Sequence, residues 1–596
     1  MIRPLPTIKV FLLLLVLSSI LSSCSKNVHN TSSSKSGAHA DDSLKASARA
    51  SAEAKSIVID TLFNRISDQV IIPFADPYFN ARVSFKRKEF YSLTGLQTKW
   101  LYDNAPAELY FSIIDLLNNA SQYGLNPFDY DVTNIAQRVN ALYKTPAQPA
   151  LIAALDIHIS EMFFLYTTHL SEGRVRNVVN GKNIWKRDLK ARPSTADVMM
   201  LATAQTAAQL TAVVSAIQPA TEQYRKLQSA LLYYANLALN APVVQPISVK
   251  SAIKPGELNT AIPLIRKKLS ITDQRAYAPG VDSLTGFSDS LRYDATLVAA
   301  VKLFQLRHGL TPDGIIGEKS LRFMNQSFRD KADVIALNMD RLRWVSPNYS
   351  DNYIIVNVPE YKMRVYDEQK ELFAMKVIVG APSRPTPIFS EELEHIVFSP
   401  TWTVPTSIIR DEIIPHLKKD SGYYTDKNFL FFKNGMEIDP KLENWAEEKI
   451  NPYQYRVVQN PGSDNSLGSV KFMMPNNLSV YLHDTPNHRL FSKDYRALSH
   501  GCVRLNEPAK FAEYLLRDQR GWNSDRIAKA MNDSLPSTVL LKKHYQVNIE
   551  YVTAWVDEDG LVNFREDIYG HDKAQLRHLR PVNTQPAAVA SGAAGM

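Results

Sequence analysis

The first half of the chain carries hydrophobic residues at helical spacing. Leu109, Ile113 and Leu117 fall on one helical face, and Gly124 follows where that pattern stops. Comparable patterns cover three further stretches, Leu151 to Leu170, Ala202 to Ile217 and Glu222 to Leu239. We therefore predict a helical scaffold domain over residues 56–250.

The next stretch, residues 251–326, has the pattern of a small domain with short helices. Leu297, Val301 and Phe304 share one helical face, and Gly309 can end that helix. A turn-forming Pro-Asp-Gly sequence then precedes another short apolar segment. The pattern predicts a compact helical module that is separate from the scaffold domain.

Residues 345–545 change to a strand pattern. The segments YIIVNVP, YKMRVYD and LFAMKVIVG are rich in β-branched residues and read as successive strands. A charged insertion at about residues 408–456 is predicted to be helical and to cap a cleft. A hairpin extension is predicted over residues 546–580, followed by a loose tail at 581–596.

The N-terminus has the layout of an export signal. Two basic residues, Arg3 and Lys9, precede the apolar run Val10 to Leu17, which is too short to span a bilayer. Leu-Ser-Ser-Cys then resembles a bacterial lipobox, which implies cleavage after a signal peptide at residues 1–23 and lipid on Cys24. An ordinary signal peptide cleaved nearby is the alternative. The polar stretch at residues 24–55 reads as a tether.

Composition and net charge exclude few classes of protein or partner. The 596 residues are 45% hydrophobic and 21% charged, which is typical of a folded protein of several domains. The net charge of +8 suits an anionic cell envelope but identifies no partner. Basic and aromatic residues do not interleave, so no nucleic-acid partner is predicted.

The candidate chemistry centres on Cys502, which would be the one thiol left after lipidation of the other cysteine. A thiol of pKa about 8.5 becomes a useful nucleophile when a nearby histidine takes its proton, and His483 lies upstream at the end of an apolar run. Gly501 lets the backbone turn and present N–H groups beside the nucleophile. The alternative is that Cys502 is an inert buried thiol.

These residues resemble the signature of the L,D-transpeptidase catalytic domain, or YkuD domain: His483, then Ser499-His500-Gly501-Cys502-Val503-Arg504. The resemblance implies that Cys502 attacks a peptidoglycan stem tetrapeptide and releases its terminal D-alanine, with His483 as base. It implies that the Asp484 backbone carbonyl orients His483 and that the N–H groups of Gly501 and Cys502 form the oxyanion hole. Substrate-binding roles are predicted for a further set of residues: Ser499, His500, Arg504, Tyr481 and Trp402.

Residues Ala300 to Leu321 resemble a peptidoglycan-binding domain of three helices, and the segment around Trp402 resembles large YcbB-type L,D-transpeptidases. The predicted fold class is α+β multidomain: a helical scaffold, a three-helix peptidoglycan-binding-like domain and a β-rich YkuD-like catalytic domain with a helical capping insertion. The predicted partners are donor and acceptor stem peptides and the membrane that holds the N-terminal lipid. Possible envelope protein partners are unknown.

The predicted reaction is 3-3 crosslink formation by an enzyme without cofactor or metal, facing the periplasm as a lipoprotein of the outer membrane. Three alternatives stay open at this point. The same acyl-enzyme could serve protein attachment, D-amino acid exchange or hydrolysis, because the acceptor decides the outcome. A zinc hydrolase could recruit His483, His488, His500 and Cys502, although their spacing matches no metal motif. The chain could also be a non-catalytic peptidoglycan anchor.

Overall fold

A computed structural model describes residues 76–146, 148–175, 178–179, 182–183, 195–272, 291–344, 350–425 and 427–579. The predicted signal peptide, Cys24, the tether and the tail at 581–596 lie outside the described residues. The chain divides into two compact units. Among the described residues, the first unit comprises those within 76–118, 131–164 and 198–211, and the second comprises those within 119–130, 165–197 and 212–579.

The helices of the scaffold region follow the predicted hydrophobic periodicity. Their bounds are α1 Pro77–Leu93, α2 Glu108–Asn118, α3 Val132–Leu142, α4 Pro149–Glu172, α5 Ala196–Thr203, α6 Ala207–Ile217 and α7 Glu222–Asn240. A two-stranded ribbon, β1 Val178–Val179 and β2 Lys182–Asn183, lies between α4 and α5. The predicted helical scaffold is therefore confirmed, although the stretch from Ala202 to Ile217 is divided between α5 and α6.

A buried carboxylate organises the first unit. Asp156 accepts hydrogen bonds from the backbone N–H groups of Lys99, Trp100 and Leu101, at 2.7 to 3.2 Å, and from the Tyr91 hydroxyl at 2.6 Å. Burial nevertheless raises the pKa of Asp156 to about 6. These hydrogen bonds hold the chain segment that follows α1 against helix α4.

Helix α4 is long and apolar enough to cross a membrane by length and composition. However, 78% of its apolar window is buried within the protein. A mostly buried helix of this kind is expected in a protein core, so its apolar character is explained by packing.

The second unit contains the three-helix module. Its helices are α8 Ile262–Thr272, α9 Ala295–Arg307 and α10 Glu318–Met324, around a core that includes Ile265, Leu297 and Phe304. Asp294 caps α9 by accepting from the Leu297 N–H at 2.9 Å. The described residues of this module thus contain three helices, in agreement with the predicted helical module.

Helix α11, Phe328–Trp344, continues from this module and carries polar residues that are buried and paired. Asp340 accepts from the N–H groups of Arg174 and Val175 at 2.8 and 2.9 Å. Arg341 forms an ion pair of 2.6 Å with Asp572. Asp340 and Arg341 are therefore satisfied in their burial. Lys331 differs, because its buried ammonium lies over the rings of Phe304 and Phe564 and burial lowers its pKa to about 7.

The catalytic region is built on a nine-stranded sheet that closes on itself. The order is β13-β5-β14-β12-β11-β6-β15-β3-β4, and β4 pairs in turn with β5. The strands are β3 Tyr353–Asn357, β4 Lys362–Asp367, β5 Lys370–Gly380, β6 Phe389–Phe398, β11 Val470–Met473, β12 Leu482–His483, β13 Ala497–Ser499, β14 Val503–Leu505 and β15 Ser537–Glu550. One face of this closed sheet lines an apolar core that includes Ile354, Val377 and Leu482, as the alternating burial of its strands requires.

The insertion at residues 408–456 is helical only at its start. Thr406–Ile408, a π-helical turn at Ile409–Ile413 and Ile414–Lys419 form one continuous helical stretch. The rest forms an antiparallel sheet of β7 Trp402–Thr403, β8 Phe429–Lys433, β9 Met436–Ile438 and β10 Tyr455–Gln459, in the order β7-β10-β8-β9. The prediction of a helical insertion is therefore wrong beyond residue 419.

The physical reason is a tight turn at Asn434-Gly435. Asn434 and Gly435 both have positive φ, +50° and +87°, as the tight turn of a β-hairpin requires. The preceding Phe429-Leu430-Phe431-Phe432 run then pairs as a strand and buries Phe431. Asn-Gly beside an apolar run predicts a hairpin, not a helix.

The C-terminal part begins inside the main sheet. Strand β15 runs through residue 545, so the predicted domain boundary falls within a strand. The predicted hairpin is present as β16 Ala554–Val556 and β17 Val562–Phe564. The remaining helices of the catalytic region are Pro508–Leu516, Ser524–Met531 and His571–Leu579.

Candidate active site

Two short parallel strands bring the motif residues together. Strand β12 ends at His483 and pairs with β14, which starts one residue after Cys502, so that His483 lies opposite Arg504 and Leu482 lies opposite Val503. Leu482 and Val503 are fully buried in the core. Because side chains alternate across a strand, His483 and Arg504 project from the opposite, outer face of the closed sheet.

Cys502 is half-buried, and its Sγ lies 3.7 Å from the Ser479 carbonyl oxygen. Burial raises the pKa of the Cys502 thiol, while hydrogen bonds from Tyr481 and the nearby charge of Arg504 oppose that shift. The Tyr481 hydroxyl therefore faces the sulfur and favours its thiolate form. This contact supports a role for Tyr481 beyond lining the pocket.

His483 is buried, with an exposed fraction of 4%. Burial lowers the pKa of His483 to about 3, and the neighbouring Arg504 acts in the same direction. The imidazole is therefore neutral at pH 7 and able to accept a proton. The backbone groups of Asp484 and Leu467 favour the protonated form, whereas the ring's Nδ1 has no hydrogen-bond partner among the described residues. The orienting role of the Asp484 carbonyl therefore stays a prediction.

The Asp484 side chain has a different role from its backbone, because it fixes the turn at residues 468 and 469. It accepts from the Ser469 N–H at 2.8 Å, and its other oxygen lies 3.3 Å from His488 Nε2. Gly468 has φ +63°, and a Cβ at that position would come within 2.4 Å of the Asp484 Cγ. The turn at residue 468 therefore requires glycine, and Asp484 packs directly against it.

The motif loop, which we define as residues 499–504, is held by Ser499. Its hydroxyl donates to the Cys502 carbonyl at 2.6 Å and accepts from the Gly501 N–H at 3.2 Å. Gly501 has φ +122°, which side chains rarely tolerate. Ser499 thus uses the Gly501 N–H that was predicted for the oxyanion hole, whereas the Cys502 N–H bonds to no other described residue.

Two residues that sequence reasoning missed orient the Gly501–Cys502 peptide. The Thr386 hydroxyl donates to the Gly501 carbonyl at 2.8 Å and accepts from the Gly380 N–H at 2.8 Å. Tyr569 donates to the Gly380 carbonyl at 2.6 Å and accepts from the Thr386 N–H at 3.2 Å. In a trans peptide the N–H points opposite to the C=O, so a fixed Gly501 carbonyl aims the Cys502 N–H away from Thr386.

The insertion reaches the motif loop through charged contacts. His500 Nε2 contacts Glu412 in the π-helical turn, and both side chains are partly exposed. Arg384, in the loop after β5, donates to Asp411 at 2.6 Å. The start of the insertion is therefore attached to both loops that flank the nucleophile.

The other two predicted binding residues lie in different surroundings. Arg504 is partly buried beside Cys502, and its Nε has no hydrogen-bond partner among the described residues. Trp402 lies on β7, partly buried, with its ring edge-on to Phe429 at 6.4 Å between centroids. Arg504 thus offers a free donor near the sulfur, and Trp402 packs with the core of the insertion.

Within the described residues no group of three or more His, Cys, Asp or Glu side chains is arranged to hold a metal ion. His488 contacts Asp484 and His500 contacts Glu412, so these two imidazoles serve local contacts. The constellation is that of a thiol with a neutral imidazole on a neighbouring strand.

The sequence around Cys502 and His483 was compared with known protein families. Residues 351–527 match the family described as the L,D-transpeptidase catalytic domain. The chain carries an L,D-transpeptidase catalytic domain of the YkuD family. Residues 86–231 match the scaffold domain, and residues 280–324 match a family described as "Putative peptidoglycan binding domain". The predicted family and fold class are therefore confirmed.

Relatives of this L,D-transpeptidase domain include a curated Haemophilus influenzae protein named "Putative L,D-transpeptidase", which is 38% identical over 240 residues. The match covers 40% of this chain and 48% of the relative, about half of its length. Solved L,D-transpeptidases from Mycobacterium smegmatis and Mycobacterium tuberculosis are each 13% identical and cover 34% of this chain. They are covered over 58% and 61% of their own chains, with TM-scores of 0.17 and 0.14.

Proposed function

We propose that this protein is a peptidoglycan L,D-transpeptidase that forms 3-3 crosslinks through a thioester on Cys502. The observation that carries the proposal is the pairing of β12 with β14, which sets a neutral His483 beside the strand that follows the thiol. The match of residues 351–527 to the L,D-transpeptidase catalytic domain supports the same assignment.

In the first half-reaction His483 takes the proton of Cys502 as the sulfur attacks the carbonyl between the third residue and the terminal D-alanine. A C–S bond forms, the C–N bond breaks, and the proton passes to the leaving amine of D-alanine. The Cys502 N–H is the donor best placed for the developing oxyanion, since Ser499 occupies the Gly501 N–H. The Tyr481 hydroxyl stabilises the attacking thiolate.

In the second half-reaction the side-chain amine of an acceptor stem attacks the thioester. The C–S bond breaks, a new amide forms, and Cys502 regains a proton. Water competes with the amine, so a covered site favours transfer over hydrolysis. The contacts of Glu412 with His500 and of Asp411 with Arg384 support a covering role for the insertion.

The proposed location is the bacterial cell envelope, where peptidoglycan lies. Anchoring of the chain through a lipid on Cys24, and placement in the outer membrane, remain parts of the proposal that rest on the lipobox resemblance alone. Mass measurement of the N-terminal peptide from cells would test the lipid: an unmodified Cys24 would contradict it.

Muropeptide analysis tests the reaction. Purified protein incubated with tetrapeptide-rich sacculi is expected to release D-alanine and to yield 3-3 linked dimers. Cys502→Ala is expected to abolish both products while sacculus binding persists. Release of D-alanine by Cys502→Ala would contradict the thioester, and inhibition by a chelator without an effect of thiol alkylation would favour a metal hydrolase.

Product ratios test the covering role of the insertion. Glu412→Gln combined with Arg384→Gln removes its ion pairs to the loops beside Cys502, so the fraction of hydrolysed tripeptide is expected to rise relative to crosslinked product. Lys449→Gln is the control, because it removes one positive charge from an exposed position of the insertion, outside the Arg384–Asp411 and Glu412–His500 contacts. Equal product ratios in all three proteins would refute this role.

A further inference from the structure

Two cavities, each of about 450 Å³, adjoin each other and share Lys362, Lys376 and Ser492 as lining residues. The first extends to the three-helix module at His308, and the second extends to His488 beside Asp484. We name the two cavities together the lysine trough. Neither the proposed catalytic steps nor the module's own helices account for it.

The trough has two lysines at its centre that repel each other. Lys362 and Lys376 are direct cross-strand partners on β4 and β5, and like charges in that position are destabilising. The nearest carboxylate, Glu360, lies 3.6 Å from Lys362 Nζ but already binds Arg364 through two hydrogen bonds of 2.6 and 2.7 Å. An anion placed between the two ammonium groups would remove the repulsion.

The wall of the trough holds two buried polar atoms without partners. Tyr361 is 8% exposed and its hydroxyl has no hydrogen bond within the described part of the chain. His308 is 3% exposed; its Nδ1 lies 2.7 Å from the Phe304 carbonyl and donates to it, which leaves Nε2 as an acceptor with no partner there. Buried polar groups are nearly always paired, so these two atoms favour the binding of a hydrogen-bonding ligand in the trough.

The charge of the first cavity also favours an anion. Five basic and three acidic side chains line it, an excess of two positive charges. The acidic ones have partners in the protein: besides Glu360, Glu566 pairs with Arg322 at 2.9 Å and Asp494 accepts from the Thr311 hydroxyl. Lys376 Nζ donates to the Phe491 carbonyl at 3.3 Å, which uses one of its three N–H donors, so both lysines keep donors for a ligand.

Strand register places the trough on the face that carries the catalytic histidine. His483 lies opposite Arg504, and Arg504 lies opposite Ile378, which is two residues from Lys376 on the same face of β5. Two strand spacings and two residues along a strand separate His483 from Lys376, about 12 Å. This is within the reach of one extended peptide.

We propose that the lysine trough binds a peptidoglycan stem peptide, with a free carboxylate between Lys362 and Lys376 and peptide groups at Tyr361 and His308. The ligand class rests on the proposed function, and the site itself is additional to the Cys502 pocket. A carboxylate-bearing peptide fits because it supplies both the anion and the N–H donor that His308 Nε2 lacks. The trough thereby holds a second segment of the substrate near the acylated cysteine.

Calorimetric titration of the Cys502→Ala protein with a purified disaccharide-tetrapeptide tests the proposal. Lys362→Gln combined with Lys376→Gln is expected to weaken binding about tenfold or more, since two charge-assisted contacts are lost. Rising salt is expected to weaken the parent and to have little effect on the double variant. The matched control is Lys370→Gln with Lys542→Gln, which removes equal charge from exposed positions outside the trough.

Equal affinity of the parent and the Lys362/Lys376 variant, an equal loss in the control, or no binding to the parent would overturn the proposal. Binding of peptide-free glycan as tight as that of the disaccharide-tetrapeptide would also overturn it. The same lysine variants are also prepared with Cys502 intact, and their acylation by a carbapenem is measured. This measurement distinguishes failure of the proposed function from failure of the trough proposal. A protein that binds the peptide at the lysines but is never acylated would refute the proposed function, whereas the proposal that the lysine trough binds the peptide would still be supported.

Discussion

Thr386→Val probes how the fold aims the oxyanion donor. Valine has nearly the same shape as threonine, but it removes a hydroxyl that is 1% exposed and that bonds to the Gly501 carbonyl and the Gly380 N–H, both at 2.8 Å. The Gly501–Cys502 peptide then loses the contact that fixes its plane. The nucleophile and the base are left chemically unchanged.

The expected loss of stability follows from the two groups that the substitution leaves unpaired, the Gly501 carbonyl and the Gly380 N–H. Each buried group without its hydrogen bond costs about 1 to 3 kcal/mol, so Thr386→Val is expected to destabilise the protein by about 2 kcal/mol or more. Removing an oxyanion donor outright costs about 10² to 10³ in rate, and here the Cys502 N–H is displaced but still present. We therefore expect acylation to slow about tenfold to a hundredfold.

The assay is the rate at which Cys502 gains a carbapenem adduct, followed by intact-protein mass, together with unfolding in urea. The alkylation rate of Cys502 by iodoacetamide serves as a readout that needs no oxyanion, and it is expected to stay close to that of the parent. Thr386→Ser keeps the hydroxyl and is expected to restore acylation.

Two results would refute this reasoning. If Thr386→Val acylates at the parental rate although its stability falls, the Gly501 carbonyl contact does not aim the donor. If Thr386→Ser is as slow as Thr386→Val, the effect comes from packing of the methyl group and not from the hydroxyl.

The remaining predictions concern the thiol and the turn before its base. Tyr481→Phe removes the hydroxyl that faces Cys502 and is expected to raise the pKa of the thiol further and to slow alkylation at neutral pH about tenfold; an unchanged pH profile of alkylation would contradict it. Because burial raises the pKa of Cys502 above its ordinary value and lowers that of His483 to about 3, the neutral imidazole and the thiol both persist across neutral pH. Acylation is therefore expected to vary little there and to show no step at the ordinary histidine pKa of about 6.5. A step at that pH in the rate profile would show that His483 titrates normally. Gly468→Ala places a Cβ 2.4 Å from the Asp484 Cγ at φ +63°, so we expect a loss of stability of about 2 kcal/mol or more in urea unfolding; parental stability would show that Asp484 moves freely.

Local sequence patterns were sufficient for the helices of the scaffold and of the three-helix module. Their hydrophobic periodicity and the Asp294 cap act within a few residues, so they are visible without tertiary structure. The insertion was predicted incorrectly, because its charged composition favours a helix whereas the Asn434-Gly435 turn makes the chain reverse as a hairpin. Strand β15 ran past the predicted boundary at 545 because its partners β6 and β3 determine where it ends.

The sequence by itself determined the domain order, the candidate nucleophile and the candidate base, since the motif residues lie within one short segment of chain. Only the tertiary structure decided which distant residues hold the nucleophile and the base in position. The Thr386 contact spans 115 residues and the Tyr569 contact spans 189 residues, and no spacing pattern records a pair so distant. The Lys362–Lys376 pair likewise depends on strand register, which follows from the closing of the sheet and not from either lysine's neighbours in sequence.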